Sequence, residues 1–386
     1  VLWIVFTLIA SVASAGEPRP TCLKTQLSQM TRVVSRIPLG TYLENFPHNS
    51  NYSIKVETAP PRNQGRYNDC WAFGTTGYFA NCNPELAALP LEERYLALQA
   101  VRSSAMSALA QVGGQINPGG SLEGAEVVMR EHGVIPVGVW EPAIDIASAP
   151  HADRIIYYIN NRLARLQEES DKLRKNSVIK KKLLAQATQD IEKIIKSYSG
   201  KMPKTFSIDG KTYTPQAYYQ EKVAPYVTVM DDITINRSLP SGKAITTPGA
   251  DPDLVVRKQL GMNATIKEII AALNRGETVP LGFECNINYI NNKNGVMSLK
   301  AFKAPRGFKP PSQDYRRNAK LFSGGHMVDI VGVDLDDKGN FVKFLIKNSW
   351  GQKIGDDGFF HMYADYFRAF ALRVYIKSPA LKASAQ

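Results

Sequence analysis

Between Asp153 and Ser197 the chain keeps apolar residues at helical spacing on a strongly charged background: Ile155, Ile159, Leu163, Leu166 and Leu173, then Leu183, Leu184, Ile191 and Ile194. That period predicts two or more amphipathic helices, each with a stripe that must be buried against something. The stripe lapses at Ser170 and again at Asn176 and Ser177, which favours a packed helical subdomain over one long coiled coil. With 386 residues, 44% of them apolar, the chain can surround this element with a substantial core. There is no convincing internal repeat.

Upstream of the charged stretch, Cys70 sits in the run Gln64-Gly65-Arg66-Tyr67-Asn68-Asp69-Cys70-Trp71-Ala72-Phe73. Asn68 and Asp69 are good N-cap residues, and Trp71 to Cys82 carries apolar residues at helical spacing, so Cys70 falls in the first turn of a predicted helix. Unsatisfied backbone N–H groups and the helix dipole favour thiolate over thiol there. A buried or disulfide-bonded cysteine is the plainer reading until a base is found. Far downstream, Ser323-Gly324-Gly325-His326 reads as a small-residue turn entering an apolar strand. The strand Phe341 to Lys347 then runs into Asn348-Ser349-Trp350-Gly351, so adjacent strands could bring Asn348 beside His326. Thiol, imidazole and amide form the set that acyl transfer needs. The other histidines, His48, His132, His151 and His361, lack such a turn and read as structural or solvated.

These three separated runs resemble the signatures of papain-like cysteine peptidases, in that family's order. The resemblance implies an α+β fold of two lobes, the first mainly helical and the second rich in strands, with a cleft between them and a helical insertion. It implies Cys70 as nucleophile, His326 as general base and acid, and Asn348 as the residue that holds the imidazole. It implies an oxyanion hole made by the Gln64 side chain with the Cys70 backbone N–H, supported by Trp71, and a cover over the His326 to Asn348 bond from Trp350. In Asn117-Pro118-Gly119-Gly120-Ser121-Leu122, before a predicted helix Glu123 to Glu131, the Gly119-Gly120 pair would hydrogen-bond extended substrate; without the resemblance it reads as a turn. Cys70 and His326 lie 256 positions apart, more than a compact papain domain needs, and the 153–197 stretch is similar to the helical insertion of the bleomycin hydrolase and aminopeptidase C branch. Matches continue through Tyr213 to Tyr219, Gly276 to Gly282, Asp356 to Phe360 and Asp365 to Phe367.

The organisation expected is a signal peptide at 1–15 and an N-terminal extension at 16–49. A papain-like peptidase domain at 50–377 follows, with a helical insertion at 151–225, and then a tail at 378–386. Val1 to Ala15 is apolar and ends in Ala13-Ser14-Ala15, a small-x-small cleavage pattern, although no Lys or Arg precedes it. Export to a periplasmic or extracellular place is therefore expected, against the cytoplasmic location usual in the family. The tail does not resemble the branch's C-terminal arm, which enters the groove and fixes a substrate's amino end, so endo- and exopeptidase activity both stay open. Cys22, Cys82 and Cys285 allow one disulfide with one thiol left over. Disorder is expected at Glu17 to Thr21, around Pro240 to Pro252, at Lys303 to Lys320 and at the C-terminus.

Net charge is +12, concentrated in Lys172 to Lys204 and Lys293 to Lys320. These segments could contact an anionic cell envelope or membrane surface, or be simply solvated. No zinc-finger spacing or Walker sequence supports nucleic acid as the primary ligand. No cofactor is implied, and no metal, because His, Asp and Glu never cluster at zinc-binding spacing. The function expected is a cysteine peptidase acting on peptides or proteins through a Cys70 thioester, with an aminopeptidase as one form. The alternatives are a noncatalytic papain-like protein that binds peptide or cell envelope, and a transpeptidase using the same thioester.

Overall fold

The computed structural model describes residues 40–378 except 66–67, 118, 145–153, 174–176, 241–242, 249–254 and 304–324. Val1 to Ala15, Glu17 to Thr21, Cys22, His151, most of Lys303 to Lys320 and the tail beyond Ser378 lie outside the described residues. In chain order the elements begin with β1 (Thr41–Tyr42), β2 (Ile54–Lys55), α1 (Cys70–Cys82), α2 (Pro84–Ala88), α3 (Glu93–Ala110) and α4 (Leu122–His132). Then come α5 (Arg154–Lys172), α6 (Ser177–Ser199), β3 (Phe206–Ile208), β4 (Lys211–Tyr213) and α7 (Pro215–Lys222). The remainder is β5 (Met230–Ile235), β6 (Ala244–Pro248), β7 (Val255–Leu260), α8 (Met262–Asn274), β8 (Val279–Glu284), β9 (Ile290–Asn291) and β10 (Val296–Met297). It closes with β11 (Phe302–Lys303), β12 (Gly325–Leu335), β13 (Phe341–Lys347), β14 (Phe359–Tyr363), α9 (Ala364–Phe370) and β15 (Ala371–Lys377).

The chain divides into two compact units, residues 63–227 and a second unit made of residues up to 62 together with those from 228. In the first, helices α1, α3 and α4 pack together and the pair α5–α6 lies on α3. The stripe Ile155, Ile159, Leu163 and Leu166 is fully buried, each side chain stabilising the unit by about 1.5–3 kcal/mol. On α6 the buried stripe is Ala187, Ile191, Ile195 and Tyr198, so Ile195 takes the place that the sequence suggested for Ile194. Arg162 pairs with Asp190 between the two helices at 2.9 Å, and Arg102 of α3 pairs with Glu192 at 2.8 Å. Trp140 Nε1 also donates to the Ser199 carbonyl at 3.1 Å. The helical pair is therefore a layer packed on α3.

The second unit holds an eleven-stranded sheet in the order β6-β7-β5-β15-β8-β12-β13-β14-β10-β9, with β2 added on β12. Its main core lies between one sheet face and helices α8 and α9, where Ile266, Ile269, Phe344, Phe360, Phe367 and Phe370 are buried together. Alternation along β12 sends Val328 and Ile330 into this core and places Met327 and Asp329 on the opposite face. A register shift between Ile330 and Gly332 bends β12 where β2 pairs with it. A Cβ at Gly332 would come 2.8 Å from the Ile54 carbonyl, so this close approach needs glycine. One expectation fails here. Within Pro240 to Pro252, β6 pairs antiparallel with β7 over Ala244 to Pro248, because the β-branched run Ile245-Thr246-Thr247 suits an edge strand whose proline ends it.

Candidate active site

Gln64, Cys70, Gly119 and Gly120 lie in the helical unit, and His326, Asn348 and Trp350 in the sheet unit. In the helical unit Cys70 is the first residue of α1 and half-buried. The preceding Asp69 holds the N-cap position but makes no side-chain cap bond, contrary to the expectation from its residue type. Its backbone carbonyl instead accepts from the N–H groups of Ala72 at 2.8 Å and Phe73 at 3.3 Å. The Asp69 side chain is buried, and burial, with the Glu93 carboxylate nearby, pushes its carboxyl well above the usual carboxylate range. That shift weakens the negative charge that a carboxylate beside the start of α1 would set against the helix dipole and its N–H groups.

The residues around Cys70 are fixed locally. Thr75 donates its hydroxyl to the Trp71 carbonyl at 2.8 Å one turn along α1. The Trp71 ring lies against Gly120, where a Cβ would sit 2.4 Å from Trp71 Cδ2, so no other residue fits. Gly119 and Gly120 are both exposed, and Asn117 Oδ1 accepts from Gly119 N at 2.9 Å. Gln64 is buried beside the left-handed turn at Gly65, whose N–H donates to Asn63 Oδ1 at 2.9 Å. Cys70, Cys82 and Cys285 form no disulfide with one another, and Cys22 is outside the described residues.

In the sheet unit the pairing of β12 with β13 brings the start of one strand beside the end of the other, and so places His326 next to Asn348. His326 Nε2 and Asn348 Oδ1 are 2.7 Å apart. The same oxygen accepts from Ser349 N at 2.8 Å, which fixes the orientation of the amide. An oxygen that only accepts requires the proton on Nε2, so Nδ1 carries the basic lone pair of the neutral ring. Nδ1 is buried and has no hydrogen-bond partner among the described residues. The indole of Trp350 stacks on the imidazole with centroids 5.0 Å apart and planes 21° apart, and Phe283 of β8 meets it edge-on at 5.6 Å. Burial holds the imidazole down at about 4, with the Asn348 bond opposing that shift.

These residues, held so, can take up and return a proton at Nδ1 and present a polarised thiol at a helix start. The Peptidase C1-like family matches residues 102–386, a span containing Gly119, Gly120, His326 and Asn348 but beginning after Gln64 and Cys70. The chain belongs to this family. Aminopeptidase W of Lactobacillus delbrueckii subsp. lactis is 29% identical over 48% of this chain and 46% of its own length. For aminopeptidase G of the same organism the figures are 24%, 69% and 64%. The chain thus spans less than two thirds of either relative, whereas the match to bleomycin hydrolase of Gallus gallus, at 21% identity, covers 96% of this chain and 88% of that one. A crystal structure of PepW from Lactobacillus rhamnosis superposes with a TM-score of 0.69 at 16% identity, covering 95% and 94% of the two chains. The fold is accordingly the papain-like α+β type, with a helical N-terminal region and a sheet-rich C-terminal one.

Several residues of this C1-like site gave little sign in the sequence. Asp329, buried on β12 three residues beyond His326, faces Lys347 across the pairing with β13, and burial raises its carboxyl to about 7. A lone carboxylate inside the run Met327 to Val333 was the available signal. Phe283 is set beside His326 by strand register alone. His48, His132 and His361 make structural bonds to Tyr363, Ser103 and Tyr52. Among the described residues no cluster of three or more His, Cys, Asp or Glu could hold a metal ion.

Proposed function

We propose that the protein is a cysteine peptidase in which Cys70 attacks a peptide carbonyl and His326 serves as base and then acid. The observation that carries this reading is the buried imidazole whose Nε2 is bonded to Asn348, leaving Nδ1 as the proton acceptor. In the reaction Cys70 Sγ gives its proton to Nδ1, and the thiolate adds to the carbonyl carbon. Gln64 and the Cys70 N–H receive the charge developing on oxygen. The imidazolium then protonates the leaving amine, and a thioester remains on Cys70. Water, losing a proton to the same Nδ1, hydrolyses the thioester and restores the thiol. In this reaction a thiolate brought to Nδ1 would raise the imidazole from its low value and so favour the ion pair. Gly119 and Gly120 offer backbone groups to an extended peptide.

Cys70→Ala should abolish hydrolysis of a diverse peptide library in reducing buffer. One equivalent of iodoacetamide should label Cys70 in the unmodified protein with parallel loss of activity. Retained turnover in Cys70→Ala, or failure of the unmodified protein to cleave any peptide, rejects the reading.

A further inference from the structure

Helix α5 reaches the loop that leads into Gly119 and Gly120. Asn160 makes a double bond pattern with one backbone position of that loop: its Oδ1 accepts from Ile116 N at 2.8 Å and its Nδ2 donates to Ile116 O at 2.9 Å. Both polar groups of a buried residue are thereby satisfied by one side chain, which fixes the height and direction of the backbone there. Two turns further along α5, Gln167 lies against Gly113, where a Cβ would come 3.0 Å from Oε1. Gly113 and the preceding Val112 both adopt positive φ, so the chain leaves α3 by a path that needs support from outside the loop.

Beyond Ile116 the segment is held again at its far end. Asn117 Oδ1 receives Gly119 N, Gly120 packs on the Trp71 ring, and Ser121 Oγ accepts from Gly124 N at 3.1 Å to start α4. Between these anchors Gly119 and Gly120 are exposed, and neither backbone group of Gly120 has a hydrogen-bond partner among the described residues. Gly119 and Gly120 therefore form an exposed edge held through Ile116 by α5 on one side and against the Trp71 ring on the other.

We propose that Asn160 is a positioning residue, through which the helical pair α5–α6 sets affinity for peptide on the amino-terminal side of the scissile bond. The inference rests on the peptidase reading with Gly119 and Gly120 as substrate contacts. The side chain acts on substrate only through the Ile116 backbone. Its loss lets the edge shift, and the hydrogen bonds from Gly120 to the peptide backbone weaken together.

The test compares two amide substrates in the full-length protein, one with a single aminoacyl residue and one an acetylated dipeptidyl amide that extends one residue further toward the amino terminus. Asn160→Ala should raise KM for the dipeptidyl substrate about tenfold with kcat within about twofold, as expected for misaligned hydrogen bonds. It should change kcat/KM for the aminoacyl substrate by less than about twofold and leave the rate of Cys70 alkylation unaltered. Asn160→Asp is isosteric and keeps the bond from Ile116 N while losing the donor to Ile116 O, so it should show the same dependence on substrate length even if Asn160→Ala folds poorly. Equal loss on both substrates, or none on either, overturns the proposal. An unmodified protein that cleaves only the aminoacyl amide also overturns it while the peptidase reading stands. One that cleaves neither removes both.

Discussion

At the scale of single residues, the pairing of β12 with β13 leaves the two nitrogens of the His326 imidazole in different states. Asn348 Oδ1 accepts from Nε2–H, and Trp350 and Phe283 pack against the ring. Asn348→Ala should let the ring rotate and exchange tautomers, lowering kcat at least about tenfold with little change in KM, measurable on any cleaved peptide. Gln64→Ala should lower kcat about a hundredfold, the usual effect of removing one oxyanion donor, and a change confined to KM would count against that role. Asp329 offers a test on stability. Its folded carboxyl titrates at about 7, above the ordinary 3.8, so the stability it contributes is fully present below 3.8 and is lost as pH rises through 7. Asp329→Asn should flatten the fall in urea midpoint between pH 5 and 8 and leave the variant the more stable form at pH 8. A fall unchanged by the substitution would assign it to other groups.

At the scale of elements, the segment from Phe46 to Tyr52 is strapped to β13 and β14 by titratable groups. Lys343, only 1% exposed, donates to the Asn49 carbonyl at 2.9 Å and to Asn49 Oδ1 at 2.7 Å, and pairs with Asp334 at 3.1 Å. Its ammonium also lies 5.0 Å from the Tyr52 ring centroid and 5.7 Å from that of Tyr363. His361 Nε2 meets Asp356 at 3.1 Å, so that nitrogen carries the proton and Nδ1 accepts from the Tyr52 hydroxyl. Burial lowers His361 to about 4, and both Lys343 and the adjacent His48, itself lowered, oppose its charging while Asp356 favours it. A depressed histidine contributes stability that is present above 6.5 and lost as pH falls toward 4. Hydrogen exchange in Phe46 to Tyr52 should therefore rise over that interval, and His361→Gln should blunt the rise. The same elements explain what could be read beforehand. The periods of α1, α4, α5, α6 and β13 lie in consecutive residues and gave their existence directly. Ile195 replaces Ile194 because the partner surface, absent from local pattern, selects the stripe. Asn160 and Phe283 act on residues distant in sequence, and β6 lay between prolines that suggested only a loop.

At the scale of the molecule, the residues read from motifs fall on two units, Gln64, Cys70, Gly119 and Gly120 on one, His326, Asn348 and Trp350 on the other. Motif order disclosed them because each run is chemically dense over a few residues; the spacing between runs was filled by α5, α6 and the strands that the chemistry does not touch. Among the described residues no helix is long and apolar enough to cross a membrane. How much peptide the site admits is answered by matched peptides with free and acetylated amino ends: an aminopeptidase should lose at least about tenfold in kcat/KM on acetylation, whereas equal rates indicate an open groove.

The position of β15 between β5 and β8 has a consequence for biosynthesis. The helical unit is one uninterrupted stretch and leaves the ribosome whole, but the sheet needs its latest strand at its middle. Until Ala371 to Lys377 emerges, β5 with β6 and β7 has no join to the strands bearing His326 and Asn348. A nascent chain of this sequence therefore carries Cys70 in a complete helical unit before the strands bearing His326 and Asn348 have emerged, and β5 with β6 and β7 joins those strands only once β15 is in place.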